Sequence, residues 1–250
     1  MEELLVSIIT PTYNCASYIA ETIESVQNQT YQNWEMIIVD DCSQDNTLDI
    51  VHSYLLKDSR IKYERLSENH GAAFARNKAM CIASGAYMAF LDSDDLWLPS
   101  KLETQIEYMQ TNHCAISCTK YECIEENGVP NGKIVNVIPR TSYNRLLLDC
   151  PVGNSTVMYD VTKLGKFKVP DIRKRNDDAL WLQMLKKEPY IYGIDTVLMQ
   201  YRIRHSSLSS KKLSLIKYHW QLYRDIERLS IPRSIFHIVY WCAIKTLHIK

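Results

Sequence analysis

No stretch of the 250 residues reaches eighteen apolar positions, so no transmembrane helix is expected. Met1-Glu2-Glu3 leads straight into a strand pattern without a basic segment or cleavage site, so no signal peptide is expected either. Net charge is absent too: 29 Lys and Arg balance 29 Asp and Glu. The eight cysteines lack the paired two-residue spacing of zinc sites, since Cys114, Cys118 and Cys123 are separated by three and four residues. Without an export signal they read as reduced thiols acting as small apolar side chains. The seven histidines show no metal-type pairing at helical spacing. Two phosphate cradles are also missing. No G-x-G-x-x-G follows the first strand and no G-x-x-x-x-G-K-S/T occurs anywhere, so dinucleotide-binding and P-loop readings lack their cradle.

What is present describes a globular chain of one large domain, or one domain with an appendage: 46% of residues are hydrophobic and 23% charged. The charge is unevenly placed. Residues 201–250 hold ten Lys and Arg against two Asp and Glu, which leaves the body acidic. A basic C-terminal fifth suits an anionic contact: phosphate, a lipid surface or nucleic acid.

The chain is organised around Gly85-Ala86-Tyr87-Met88-Ala89-Phe90-Leu91-Asp92-Ser93-Asp94-Asp95. The apolar run 87–91 does not alternate, which suits a strand buried on both faces. Asp92, Asp94 and Asp95 then arrive together. Clustered carboxylates at the end of a buried strand lie where open α/β sheets bind ligands. Their mutual repulsion asks for a cation, and Mg²⁺ or Mn²⁺ is the hard ion that oxygen ligands suit. A solvated turn with an Asp helix cap accounts equally well for this motif alone.

Earlier elements repeat the pattern. Residues 4–9 read as a buried strand stopped by Pro11, with Thr10-Pro11-Thr12-Tyr13-Asn14 as its exit loop. A helix over 16–30 follows, then a strand over 34–39 ending in Asp40-Asp41-Cys42-Ser43-Gln44-Asp45-Asn46. Further on come a helix to about residue 57, a strand over 61–66, and a small-residue helix over 72–83 that Gly85 ends. Alternation of this kind predicts a mostly parallel sheet covered by helices. Right-handed crossovers place the loops at 10–14, 40–45 and 92–95 on one edge. There Asp41 can accept from a base imide or ribose hydroxyls, and Tyr13 can stack on a base. Arg76 is open between reaching a phosphate and lying on a helix surface.

The second half is mixed: a helix over 100–111, strands over 114–123 and 134–138, a helix over 142–149, and a strand over 156–159. A helix then opens on Asn176-Asp177-Asp178-Ala179-Leu180-Trp181-Leu182. Its first-turn carboxylates serve either as dipole caps or as a general base. Two short strands are expected over 190–202, then Arg202, Arg204, His205 and a polar basic loop at 206–212. Two helices, 213–229 and 233–247, are broken by Pro232. The second carries Ile235, Phe236, Val239, Tyr240 and Trp241 beside Arg233 and Lys245, and reads as an interfacial helix on an anionic membrane or as a helix packed on the domain.

Val6-Ser7-Ile8-Ile9-Thr10-Pro11-Thr12-Tyr13-Asn14, Ile38-Val39-Asp40-Asp41-Cys42-Ser43-Gln44-Asp45 and Phe90-Leu91-Asp92-Ser93-Asp94-Asp95 together resemble family 2 glycosyltransferases with the GT-A fold. The resemblance is close over the first 115 residues and looser around Asp177 and 202–205. It implies an α/β fold with a Rossmann-like, mostly parallel mixed sheet. It divides the chain into a catalytic domain at 1–205 (nucleotide-sugar half 1–115, acceptor half 116–205) and a basic amphipathic tail at 206–250.

It also implies a nucleotide-sugar donor, UDP-linked by preference, a Mn²⁺ or Mg²⁺ ion, and inversion at the anomeric carbon. By the resemblance, Thr10, Pro11, Tyr13, Asp41, Arg76, Asp92 and Ser93 contact the nucleotide. Asp94, Asp92 and His205 contact the metal or diphosphate, with Asp94 the more direct ligand. Asp177 aligns as base, with Asp178 as the alternate, because the usual pair is Glu-Asp or Gln-Asp where this chain has Asn176-Asp177-Asp178. The absent Q-x-x-R-W pattern implies single addition. Enzymes of this size often build O-antigen or capsule on undecaprenyl-diphosphate-linked sugars. The expectation is therefore a cytoplasmic protein, peripheral at the inner membrane face, with no nucleic-acid partner. Two alternatives stay open: another metal-dependent phosphate enzyme using an aspartyl nucleophile, and a sugar-nucleotide-binding module without turnover.

Overall fold

A computed structural model of the chain describes residues 4–204 and 215–246. The first half alternates as the apolar runs dictate: β1 (Val6–Thr12), α1 (Ile19–Gln27), β2 (Trp34–Asp40), α2 (Thr47–Leu55), β3 (Ile61–Arg65), α3 (Ala72–Ile82) and β4 (Tyr87–Phe90). A two-residue β5 (Leu96–Trp97) and α4 (Lys101–Thr111) follow. Next come β6 (Ile116–Ile124), β7 (Pro130–Val135), β8 (Arg140–Thr141), α5 (Tyr143–Leu148), β9 (Met158–Asp160), α6 (Val161–Leu164), α7 (Asn176–Met184) and β10 (Ile191–Arg202). The strands form one sheet in the order β3-β2-β1-β4-β9-β6-β10-β5, with β7 on β6 and β8 on β10. Strands β3, β2, β1 and β4 run parallel. Strand β9 enters antiparallel between β4 and β6.

The unbroken apolar runs follow from burial on two faces. Side chains alternate across a strand. Ile9, Ile37, Met88 and Phe90 join a core with α3 and α7, while Ile8, Met36, Ile38 and Ala89 join a second core with α1 and α4. Burying a side chain such as Phe90 contributes about 2–3 kcal/mol.

Pro11 does not stop the first strand. β1 runs on to Thr12 beside β2, and Pro11 lies beyond Ile9↔Phe90, the last β1–β4 partner pair, where a missing N–H breaks no ladder bond on that side. Gly85 does not cap α3 either. The helix ends at Ile82 with Ala83 extended, and a Cβ on Gly85 would lie 2.6 Å from Ser7 N and 2.7 Å from Leu5 O. Glycine is there so that β4 can start against β1. Residues 191–202 form one long strand where two were expected over 190–202. Register shifts between Ile194, Val197 and Met199 are irregularities within a continuous β10, which the sequence pattern reads as a break.

At the sheet end opposite the acidic loops, Glu35 is buried beneath the start of β4. It accepts from Ser7 Oγ, Ser84 N, Ser84 Oγ and Lys62 Nζ. Burial works against its charge, but the bonds from Lys62, Ser7 and Ser84 outweigh it and hold the carboxyl down at about 2.

The described tail packs on the domain. Helix α8 (Leu215–Gln221) runs into a π-helical turn (Leu222–Ile226), and α9 (Ile231–Thr246) follows with Pro232 in its first turn. Leu222, Tyr223 and Leu229 enter the α7-side core. Tyr223 donates to Leu147 O at 2.9 Å, and Lys245 pairs with Asp149 at 3.1 Å. Ser234, His237 and Trp241 form the inner face of α9; Ile231, Ile235, Phe236, Val239 and Tyr240 form an exposed apolar stripe. No described helix is long and apolar enough to cross a membrane.

Candidate active site

The three loops after β1, β2 and β4 meet at one edge. Asn14 N donates to Ser43 Oγ and Gln44 N donates to Asn14 Oδ1, both at 2.8 Å, so the first two loops are laced together. Cys15 Sγ and Thr22 Oγ1 both donate to Ser93 O, and Thr22 Oγ1 also reaches Asp95 O, which fixes the third loop against α1.

Each carboxylate of that third loop has its own setting. Asp95 is 2% exposed and points inward, accepting from Ser155 Oγ at 2.6 Å and Arg202 N at 3.1 Å. Burial and the charges of Asp94 and Asp92 push its carboxyl well up. Asp92 Oδ1 accepts from Arg76 at 3.0 Å and from Asn154 Nδ2 at 2.8 Å. Burial raises its carboxyl, Arg76 opposes, and the charges of Asp94 and Asp177 add to the rise. Asp94 Oδ2 accepts from Arg204 at 3.0 Å. Behind the loop, the buried Arg202 donates to Asp94 O, Glu126 O and Glu21. The Tyr18 ring lies 5.0 Å from the guanidinium carbons of both Arg202 and Arg204.

Helix α7 brings the second group of carboxylates. Arg175, left-handed at φ 65°, turns the chain into the helix, and Asn176 accepts from Arg76. Asp178 is buried and pairs with Arg175 at 3.0 Å. Its burial, reinforced by Asp177 and opposed by Arg175, pushes the carboxyl up to about 6. Asp177 is half-buried and accepts a hydrogen bond from no described residue.

A cavity of about 500 Å³ opens beside these loops, lined among others by Pro11, Tyr13, Asp41, Asn69, His70 and Arg173. The profile of glycosyl transferase family 2 matches residues 7–170, more than half of the chain and every strand that builds the cavity wall. The chain belongs to glycosyl transferase family 2. This glycosyltransferase is 44% identical over 241 residues to TuaG of Bacillus subtilis, named for teichuronic acid biosynthesis, covering 96% of this chain and 94% of TuaG. It is 40% identical over 242 residues to WfgD of Escherichia coli, a UDP-Glc:α-D-GlcNAc-diphosphoundecaprenol β-1,3-glucosyltransferase, covering 96% and 93%. Its fold matches that of Staphylococcus aureus TarS 1-349 in complex with UDP-GlcNAc, with TM-score 0.71 at 22% identity, over 95% of this chain and 71% of that one. The shared architecture is the GT-A fold.

In this family 2 enzyme the structure brings Pro11, Tyr13 and Asp41 to the cavity, while Thr10 is fully buried in β1 behind it and Thr12, two residues on, lines the wall. Asp41 is already occupied: its two oxygens accept from His70 N and Gly71 N, each at 2.7 Å. Ser93 is buried, and its carbonyl anchors the loop. Arg76 is 4% exposed, a buried bridge between Asp92 and Asn176 and not the surface arginine that was one of its two readings. His205, the loop at 206–212 and residues 247–250 lie outside the described residues. Asn154 escapes sequence reasoning, because nothing local distinguishes it; Arg202 and Asn176 lie in segments that the sequence singles out, but their bonds to the acidic loop and to Arg76 come only with the fold.

The donor set suits a hard divalent ion. Asp92 Oδ2 and Asp94 Oδ1 accept from no described residue, so each carboxylate keeps one open oxygen. No cluster of three His, Cys, Asp or Glu forms among the described residues. Two carboxylates completed by substrate phosphates are a usual way to hold Mg²⁺.

Proposed function

We propose that the enzyme is an inverting, metal-dependent hexosyltransferase. It moves a hexose or N-acetylhexosamine from a UDP-sugar to a hydroxyl of a saccharide on undecaprenyl diphosphate, in cell-surface polysaccharide assembly. The observation that carries the catalytic part is the open carboxylate of Asp177 beside the tied Asp178. A sugar hydroxyl is a weak nucleophile, and a positioned carboxylate that takes its proton accelerates attack by about 10²–10⁴-fold. Asp177 is the more exposed carboxylate on α7 and accepts from no described residue; Asp178 is buried with its Oδ2 held by Arg175. Mn²⁺ or Mg²⁺ held by Asp92 and Asp94 would neutralise charge developing on the departing diphosphate. Tyr13 and Asp41 hold the nucleoside, and Arg76 keeps Asp92 in place.

The acceptor class is supported by the name of WfgD, whose acceptor is lipid-linked. The exposed stripe Ile235, Phe236, Val239 and Tyr240 supports a peripheral position at the inner face of the membrane. Residues 1–115 then form the donor half and 116–205 the acceptor half, and within the tail at 206–250 the outer face of α9 meets the membrane.

The test is twofold. Calorimetry with UDP, GDP, CDP and dTDP, each with and without Mn²⁺, names the donor: metal-dependent binding of UDP alone is expected. Incubation of UDP-sugars with synthetic GlcNAc-diphosphate-lipid then gives a product whose anomeric coupling reports inversion. No transfer from any nucleotide sugar, with donor binding intact, would sink the acceptor assignment.

A further inference from the structure

Both candidate metal carboxylates already carry a cation, and the two cations are not alike. Arg76 on Asp92 has a side chain only 5% exposed and is tied at its other end to Asn176. It cannot leave without opening the core between α3 and α7. Arg204 on Asp94 has a side chain 26% exposed, and Asp94 is its one hydrogen-bonding partner among the described residues. Its Nε is buried without a partner. It sits at the end of β10, where the chain leaves the sheet, over the Tyr18 ring.

The backbone of the acidic loop does not depend on Arg204. Ser93 O is held by Cys15 and Thr22, Asp94 O by Arg202, and Asp95 O by Thr22. The Asp94 side chain can therefore change partner while the loop stays in place.

We propose that Arg204 is an exchangeable counterion: it neutralises Asp94 until a divalent ion arrives, then passes to the phosphates of the nucleoside diphosphate that arrives with the ion. This rests on the reading of Asp92 and Asp94 as the metal-binding pair. Two cations cannot share Asp94 without repulsion. An ion on the open Asp94 Oδ1 therefore loosens Arg204 from Oδ2 and, with no phosphate to receive it, leaves a half-buried guanidinium poorly paired. The ion with a diphosphate gives Arg204 two phosphate groups in exchange, and guanidinium pairs well with phosphate. Metal and nucleotide are then coupled through one side chain, and the coupling is reciprocal. The arrangement keeps the ion from settling on an empty site.

The test measures Mn²⁺ affinity from the free-ion paramagnetic resonance signal, with and without UDP, in the full chain, Arg204→Gln and Asp94→Asn. Wild type is expected to bind Mn²⁺ weakly alone and at least tenfold more tightly with UDP. Arg204→Gln is expected to bind Mn²⁺ alone about tenfold more tightly than wild type, and the enhancement by UDP shrinks by the same factor. Arg204→Met, which keeps the stem on Tyr18, repeats the measurement in a second neutral side chain. Arg204→Lys, which keeps a charge, stays within threefold of wild type. If both neutral variants match wild type without UDP while Asp94→Asn abolishes binding, the exchange is overturned and the metal pair stands. If wild type binds no Mn²⁺ even with UDP present, the metal pair falls, and the exchange with it.

Discussion

Arg175 reaches across the first turn of α7 to pair with Asp178 at 3.0 Å, and this one contact separates two adjacent carboxylates into a tied anion and an open one. Asp177→Asn is expected to lower kcat by about 10²–10⁴-fold, the usual worth of a positioned base. Its Kd for UDP should stay at the wild-type value. Asp178→Asn should keep kcat within about tenfold but lower stability by about 3 kcal/mol, because it leaves Arg175 without its buried partner. Steady-state rates and thermal melts on the two variants separate these roles; the reverse pattern would transfer the base to Asp178.

Glu35 gives the fold a defined acid sensitivity. Its folded carboxyl sits at about 2, below the ordinary 4.5. A depressed carboxylate adds stability that is complete above the unfolded value and lost as pH falls. Denaturant midpoints should therefore drop as pH goes from about 4.5 to about 2. In Glu35→Gln that part of the drop should vanish, with stability at neutral pH lower by about 1–3 kcal/mol. An unchanged acid profile in the variant would remove Glu35 from the account.

Gly85→Ala places a methyl group against Ser7 N and Leu5 O, which are backbone atoms that cannot rotate away. The cost should be about 1–3 kcal/mol in urea unfolding, the range for overpacked cores. Gly132→Ala is the control, for its Cβ meets no atom within 4 Å, although its positive φ of 79° adds a small strain of its own.

The strand–helix alternation of the first half was legible because two-sided burial writes itself as uninterrupted apolar runs. Convergence of the loops after β1, β2 and β4 followed from crossover handedness alone. Other features were illegible for physical reasons. Pro11 looked like a stop because its ladder position is invisible without the partner strand. The bulged middle of β10 reads as a gap, since the irregular residues break the alternation. Arg202 and Arg204 are part of the charge excess counted over residues 201–250, yet both turn inward onto the acidic loop. Lys245 and Arg233 are likewise engaged, on Asp149 and Asn144. The charge excess of the last fifth therefore overstates how basic that surface is, and the apolar stripe of α9 becomes the stronger argument for a membrane.

That stripe makes its own prediction. Phe236→Glu combined with Val239→Glu alters two exposed side chains on α9 and should leave the melting temperature within a few degrees. Sedimentation with vesicles of mixed anionic and neutral lipid should show partitioning at least tenfold weaker than wild type. Equal partitioning of the two proteins would mean that α9 does not face lipid.

Arg202 meets Asp94 across 108 positions of sequence and Glu21 across 181. During synthesis, every residue of the first three motifs has left the ribosome long before this side chain exists. A nascent chain ending near residue 170 holds the motifs but lacks the clamp that shapes the acidic loop. Contacts of such separation form late and slowly. An amino-terminal fragment that stops short of β10 therefore leaves Asp94 O and Glu21 without the guanidinium that joins them.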